Sequence, residues 1–230
     1  MVYQEIFQKL KAQGSATKAQ TLQYFFKCGK GQYGEGDQFL GVTVPEIRAL
    51  VKAYRNKAGW DDLRELLANP WHDCRLAALL LLVEWYPREP DAVFRFYCSH
   101  TDRINNWDLV DLSVYKIVGR HLLHRDRSLL DQWAKSSNLW EVRMAIVATM
   151  AFIHQGDCTK TLQLAGQLLN HPHDLIHKAT GWMLREVGKR QIDLLRTFLN
   201  QYATQMPRTM LRYAIEKLSP TERKDYLARK

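Results

Sequence analysis

Asn138-Leu-Trp-Glu-Val-Arg143-Met-Ala-Ile opens an apolar helix, and the same kind of opening recurs along the chain. Asn69-Pro-Trp-His-Asp-Cys-Arg75-Leu-Ala-Ala stands 68 residues earlier, measured from Arg75 to Arg143. His171-Pro-His-Asp-Leu-Ile-His177-Lys-Ala-Thr follows 34 residues after Arg143, and Met206-Pro-Arg-Thr-Met-Leu-Arg212-Tyr-Ala-Ile another 35 on. The vacant place near position 109 is filled by Asn105-Asn-Trp-Asp-Leu-Val-Asp-Leu112. A period near 34 residues, with two short helices in each, is the signature of a helical repeat array. TPR units share that length, but their Trp/Leu/Gly/Tyr pattern is missing, and HEAT-like units fit better. The expectation is an all-α solenoid with a concave groove lined by the second helix of each unit. It forms one domain over residues 1–230, with units anchored near 48, 75, 109, 143, 177 and 212.

Local patterning agrees. In Pro45–Tyr54, Ile47, Leu50, Val51 and Tyr54 recur at i, i+3, i+4 and i+7, a helical period. Alternating β-branched residues are nearly absent outside the short Gly41–Val44 stretch. The 230 residues are 46% hydrophobic and 25% charged, the balance of a folded soluble chain. The formal charge of +9 is one-sided. Residues 1–115 carry 14 Lys and Arg against 14 Asp and Glu, whereas residues 116–230 carry 19 against 10. Such asymmetry points toward a polyanionic partner.

Other classes are excluded. MVYQEIFQKLKAQ mixes polar and apolar residues from its start, unlike a signal peptide. The longest apolar run, Leu76–Val83, has 8 residues, well short of the roughly 18 of a membrane span. Cys28, Cys74, Cys98 and Cys158 lack C-x-x-C spacing, which fits a reducing cytoplasm and neither zinc nor a disulfide framework. The Gly29–Gly36 segment, GKGQYGEG, contains a formal G-x-G-x-x-G. A dinucleotide site would need a preceding strand and an acid about 20 positions on. Here a helical stretch precedes it and position 54 is Tyr, so a flexible loop is expected. His121/His124 and His173/His177 have helical spacing but no accompanying metal-site pattern, so no metal is expected.

Three places could carry chemistry. Asn105 or Asn106 can cap a helix on which Trp107 and Asp111 lie four residues apart on one face, with Val110, Val114, Ile117 and Val118 buried. Asp108 suits the first turn of that helix, where an acid favours the dipole. Asp111 lies a turn deeper, as a reactive carboxylate or as a structural acid bonding the next loop. Arg143 is the one charged residue in Val142–Ile153. It either binds an anion or links successive units, as Arg75 and Arg212 at the same repeat position suggest. On the helix Leu175–Arg190, Lys178, Trp182, Arg185 and Lys189 follow one stripe, while Ala179, Met183 and Val187 line another face. A tryptophan among cations suits a groove for a phosphate backbone, and equally a core ring with lysines passing beside it.

These residues carry a resemblance. Asn106-Trp-Asp-Leu-Val-Asp111, Asn138-Leu-Trp-Glu-Val-Arg143, Lys178-Ala-Thr-Gly-Trp182-Met-Leu-Arg185-Glu and Phe39-Leu-Gly-Val-Thr-Val-Pro45-Glu-Ile-Arg together resemble the AlkD family of DNA alkylation-repair glycosylases, over essentially the whole chain. The resemblance implies a HEAT-like protein that holds duplex DNA in a basic groove and excises N3- and N7-alkylated purines. By the same resemblance, Trp107 and Trp182 contact the deoxyribose of the lesion, Asp111 is the catalytic carboxylate, and Arg143 binds phosphate. Tyr24 matches a DNA-contacting tyrosine, and the base stays stacked in the duplex. The expected protein is a monofunctional glycosylase, monomeric and cytoplasmic, at the nucleoid when on DNA. It needs no cofactor and no membrane, and Lys178, Arg185 and Lys189 contact the duplex. The alternative is a non-catalytic scaffold that binds DNA or an acidic protein.

Overall fold

A computed structural model describes residues 1–229. Their chain is all-α, in paired helices that repeat, and falls into two compact units, Met1–Ser113 and Val114–Lys230. That division falls almost where the charge divides, because positions 114 and 115 are Val and Tyr. The first unit is therefore formally neutral and the second carries the whole +9.

The first unit contains α1 (Val2–Gln13), α2 (Ala16–Phe25), α3 (Val44–Tyr54), α4 (Trp60–Ala68), α5 (His72–Trp85), α6 (Pro90–Cys98) and the start of α7 (Trp107–Val114). Helix α3 begins where a capping box forms. The Thr43 N–H and Oγ1–H both donate to the Glu46 carboxylate, at 2.8 and 2.5 Å, and Pro45 occupies the first turn. Ile47, Leu50, Val51 and Tyr54 are all buried, as their spacing requires. Helix α5, apolar without a break from Leu76 to Val83, lies largely buried against α3 and α4, the central position such a run needs. The Gly41–Val44 stretch makes no strand. The Leu40 and Val42 N–H groups instead donate to the Asp73 carboxylate at 2.7 and 3.0 Å, and Val44 already begins α3. Among the described residues, one isolated bridge pairs Gln38 with Trp71.

The second unit opens with a π-helical turn, Tyr115–Gly119, that continues directly from α7. It then contains α8 (Ser128–Trp133), α9 (Leu139–Ala148), α10 (Met150–His154), α11 (Thr159–Gln167), α12 (Asp174–Arg190), α13 (Ile192–Tyr202), α14 (Arg208–Ala214) and α15 (Pro220–Ala228). The predicted anchors 143, 177 and 212 fall in α9, α12 and α14, each preceded by a shorter or partner helix. Asn138 caps α9 by accepting the Trp140 N–H at 2.9 Å, and α9 is buried from Val142 to Ala148. Helix α12 packs against α9, α11, α13 and α14. It approaches α14 closely at Gly181, where a side chain would collide with the Met210 carbonyl and the Tyr213 Cβ.

A larger residue at that crossing forces the two helices apart. Gly181→Val should lower stability by about 1–3 kcal/mol, the usual cost of overpacking. Urea unfolding of the two proteins measures it, and an unchanged midpoint would show that α14 yields freely.

Candidate active site

Helix α7 starts at Asn106, not Asn105. The Asn106 Oδ1 accepts the Trp107 N–H at 2.9 Å, and its carbonyl accepts the Val110 N–H at 3.3 Å. Val110, Val114, Ile117 and Val118 are fully buried, so the packed face is the one the periodicity predicts. Trp107 and Asp111 are both half-buried and both line a cavity of about 600 Å³ within the first unit. The cavity walls come from α2, α3, α5 and α7 and are mostly apolar: Leu22, Phe25, Phe26, Phe39, Val42 and Leu112 among them. A carboxylate beside aromatic faces in an apolar cleft suits a developing cation, because low polarity strengthens the attraction.

Beneath Trp107 lies a charge cluster that the sequence did not single out. Asp37 Oδ2 lies 3.0 Å from His72 Nδ1, and Asp108 Oδ2 lies 2.9 Å from His72 Nε2. Arg75 forms a close ion pair with Asp37 Oδ1 and donates to the Asn69 and Pro70 carbonyls at 3.0 Å each. The Asn106 amide donates to Asp37 Oδ2 at 3.3 Å. All five side chains are buried, and two carboxylates face two cations. Asp108 is therefore no solvated first-turn acid but half of a buried ion pair. Burial alone would strip the His72 proton, yet the Asp108 and Asp37 carboxylates outweigh it and lift the imidazolium pKa to about 9. For Asp37, burial works to raise the pKa, but the His72 hydrogen bond and the Arg75 charge hold it below the usual carboxylate range.

The same cluster explains the glycine-rich segment. Its amides serve its own turns, with the Gly29 N–H on Gln32 Oε1 at 3.0 Å and the Gly31 N–H on Glu35 Oε2 at 2.7 Å. Gly31 and Gly36 adopt φ of 73° and 84°, which glycine takes at least cost. The segment is a sequence of turns that delivers Asp37 into the core, not a slack connection, and no strand precedes it as a dinucleotide site requires.

The other predicted residues have defined surroundings. Tyr24, at the end of α2, is 79% exposed, with Lys27 Nζ 4.8 Å from its ring centre. Its neighbour Phe25 is also exposed and meets Trp107 edge-on at 5.7 Å. Arg143 is buried and donates from Nη1 to the Leu175 carbonyl at 2.6 Å, so one of its roles is to tie α9 to the first turn of α12. Arg75 is buried likewise, whereas Arg212 at the same repeat position is exposed. On α12, Trp182 is half-buried while Ala179, Met183 and Val187 are fully buried. Each cation of the stripe has a carboxylate beside it: Lys178 has Asp174 at 2.7 Å, Lys189 has Glu186 at 2.6 Å, and Arg185 pairs closely with Glu216. By contrast, a pocket of about 280 Å³ in the second unit is lined by Lys116, Arg120 and His154 with no acid in its wall. His173 and His177 have structural partners, His173 Nδ1 accepting the Leu175 N–H at 3.1 Å and His177 Nε2 donating to the His171 carbonyl at 2.5 Å. Among the described residues, no group of three or more His, Cys, Asp or Glu side chains is arranged for a metal ion, and no helix is long and apolar enough to cross a membrane.

The chain is thus all-α, in repeating helices, and its α7 brings an acid and a tryptophan to the lining of one apolar cleft. The chain belongs to the DNA alkylation repair enzyme family, whose model matches residues 6–218. Among solved structures it is similar to a predicted DNA alkylation repair enzyme from Enterococcus faecalis. The identity is 16%, the TM-score is 0.71, and the match covers 90% of this chain and 98% of that one, a likeness of fold. No curated protein matches the chain.

The His72 proton makes stability pH-dependent. An ordinary histidine titrates near 6.5 and this one near 9, so its contribution is complete below about pH 6.5 and lost as the pH rises to about 9. The loss is on the order of 3 kcal/mol. Asp37 acts in the opposite sense, its contribution fading only as the pH falls through the carboxylate range. Urea unfolding at pH 6 and pH 9 reads the alkaline loss, and His72→Phe should remove it; an equal loss in that variant would assign it to another group.

Proposed function

We propose that this chain is a monofunctional DNA glycosylase that releases positively charged N3- and N7-alkylated purines from duplex DNA. The observation that supports the reading best is the shared cleft of Trp107 and Asp111, one helical turn apart on α7, in a chain of the alkylation-repair family. Alkylation at N3 or N7 leaves the purine cationic, so it departs without a general acid. The C1′–N9 bond breaks, its electron pair neutralises the base, and an electron-poor sugar remains. The Asp111 carboxylate stabilises that sugar and orients the water that adds to C1′, taking up the water's proton. The π-face of Trp107 favours the same cation. Trp182 is the second sugar-contacting ring, and Arg143 binds a backbone phosphate. Tyr24, with Phe25 beside it, presents an exposed aromatic edge to the duplex.

The lesion's own charge drives departure, so the base need not enter a pocket and remains stacked. Lys178, Arg185 and Lys189 exchange their carboxylate partners for phosphates when DNA binds. The protein acts as a monomer in the cytoplasm, at the nucleoid, with no cofactor, and it leaves the strand intact.

Asp111→Asn should slow release of 7-methylguanine or 3-methyladenine from methylated duplex by roughly 10²–10³ while leaving DNA affinity nearly unchanged. Chromatography of the freed base is the readout. Full activity in Asp111→Asn would remove that residue from the chemistry, DNA binding without any base release by the wild type would leave a scaffold, and release of uracil would contradict charge-assisted departure. Lys189→Ala should flatten the slope of log K against log salt by about 0.9, the share of one phosphate. An unchanged slope would mean that Lys189 stays with Glu186.

A further inference from the structure

Asp37, His72 and Asp108 come from three distant parts of the chain: the end of the glycine-rich turns, the start of α5 and the first turn of α7. They meet directly under Trp107. Both neighbours of Trp107 in sequence belong to the cluster, Asn106 through its bond to Asp37 and Asp108 through its bond to His72. The backbone on either side of the tryptophan is thereby tied to buried charges. The ring is held as well. His72 stacks on Phe39 at 4.5 Å and 23°, Phe39 on Phe26 at 5.0 Å and 23°, and Phe26 on Trp107 at 4.9 Å and 14°. One imidazole thus stands at the foot of both supports.

A ground for this arrangement in stability alone is weak, because a buried ion cluster is often no better than apolar packing of the same volume. Its geometric effect is specific: it leaves Trp107 little freedom about its backbone or its ring. A ring that must meet a sugar within a few tenths of an ångström gains from that restraint, since small misplacements of a reacting partner cost large factors in rate.

We infer that Asp37 and His72 are positioning residues that fix Trp107 for its contact with the lesion's sugar, acting through Asn106, Asp108 and the Phe39–Phe26 stack. The inference rests on the glycosylase reading proposed above. The glycine-rich turns then have a task in the reaction, since they carry Asp37 to its place.

The test is a double-mutant cycle on single-turnover release of 7-methylguanine at saturating enzyme, with DNA affinity measured alongside. His72→Phe keeps a ring against Phe39 and removes both hydrogen bonds. It should slow release by ~10–100-fold with little change in affinity. In a Trp107→Ala background the same change should cost almost nothing, because the residue it positions is gone. Asp108→Asn, which keeps shape and an acceptor, repeats the cycle should His72→Phe fail to fold. Equal costs in the two backgrounds would reduce the cluster to a stabilising one and overturn the inference. A second readout needs no activity: acrylamide quenching of the Trp107 fluorescence, taken as each protein minus its Trp107→Phe counterpart, should rise in both variants. A wild type that releases no base would sink the glycosylase reading alone, and quenching then decides the positioning, unchanged values overturning it.

Discussion

The first unit is organised around one constraint: two carboxylates and two cations buried within hydrogen-bond distance of each other. Removing any one of Asp37, His72, Arg75 or Asp108 leaves a charge in the core without its partner, at a cost of several kcal/mol. The cluster therefore dictates which segments must be present together. The glycine-rich turns have to close so that Asp37 arrives, α5 has to begin at His72, and α7 has to begin at Asn106. Around it the apolar residues of α3, α4 and α5 supply the bulk of the burial, but burial alone would tolerate many registers. The hydrogen bonds select one.

The second unit solves a different problem. Its helices are joined by apolar faces and by side chains that bond the next helix's backbone, as Arg143 does at Leu175. Close packing is set by small residues at crossings, Gly181 against Met210 on α14 and Gly119 against the Ala148 carbonyl on α9. No cluster like that of the first unit is needed, because the +9 lies on its surface, where water screens it. Much of that charge has a local acid for company on α12. Exchangeable partners of this kind hold cations in place without committing them, since an exposed pair is worth little and a phosphate can replace the carboxylate.

The two units thus divide along the line where the charge divides, a neutral one holding the acid and aromatic cleft and a basic one holding the cations.

By itself the sequence determined the helical class and the face of α7 that is buried, because helical periodicity is a local property written into every turn. It also brought Trp107 and Asp111 to one face, since four residues make one turn. What it did not determine is anything that depends on residues distant along the chain. Asp37 lies in no motif, and although His72 and Asp108 fall within repeated openings, nothing in those openings says that the three side chains meet. Asp108 read only as the acid of a helix's first turn, which it is, and the glycine-rich segment as a flexible loop, because each reading was local and the deciding partner was not. The Glu216 partner of Arg185 and the backbone partner of Arg143 are likewise about 30 residues away. Local pattern decides which elements form; only tertiary packing decides which polar groups must find each other once water is excluded.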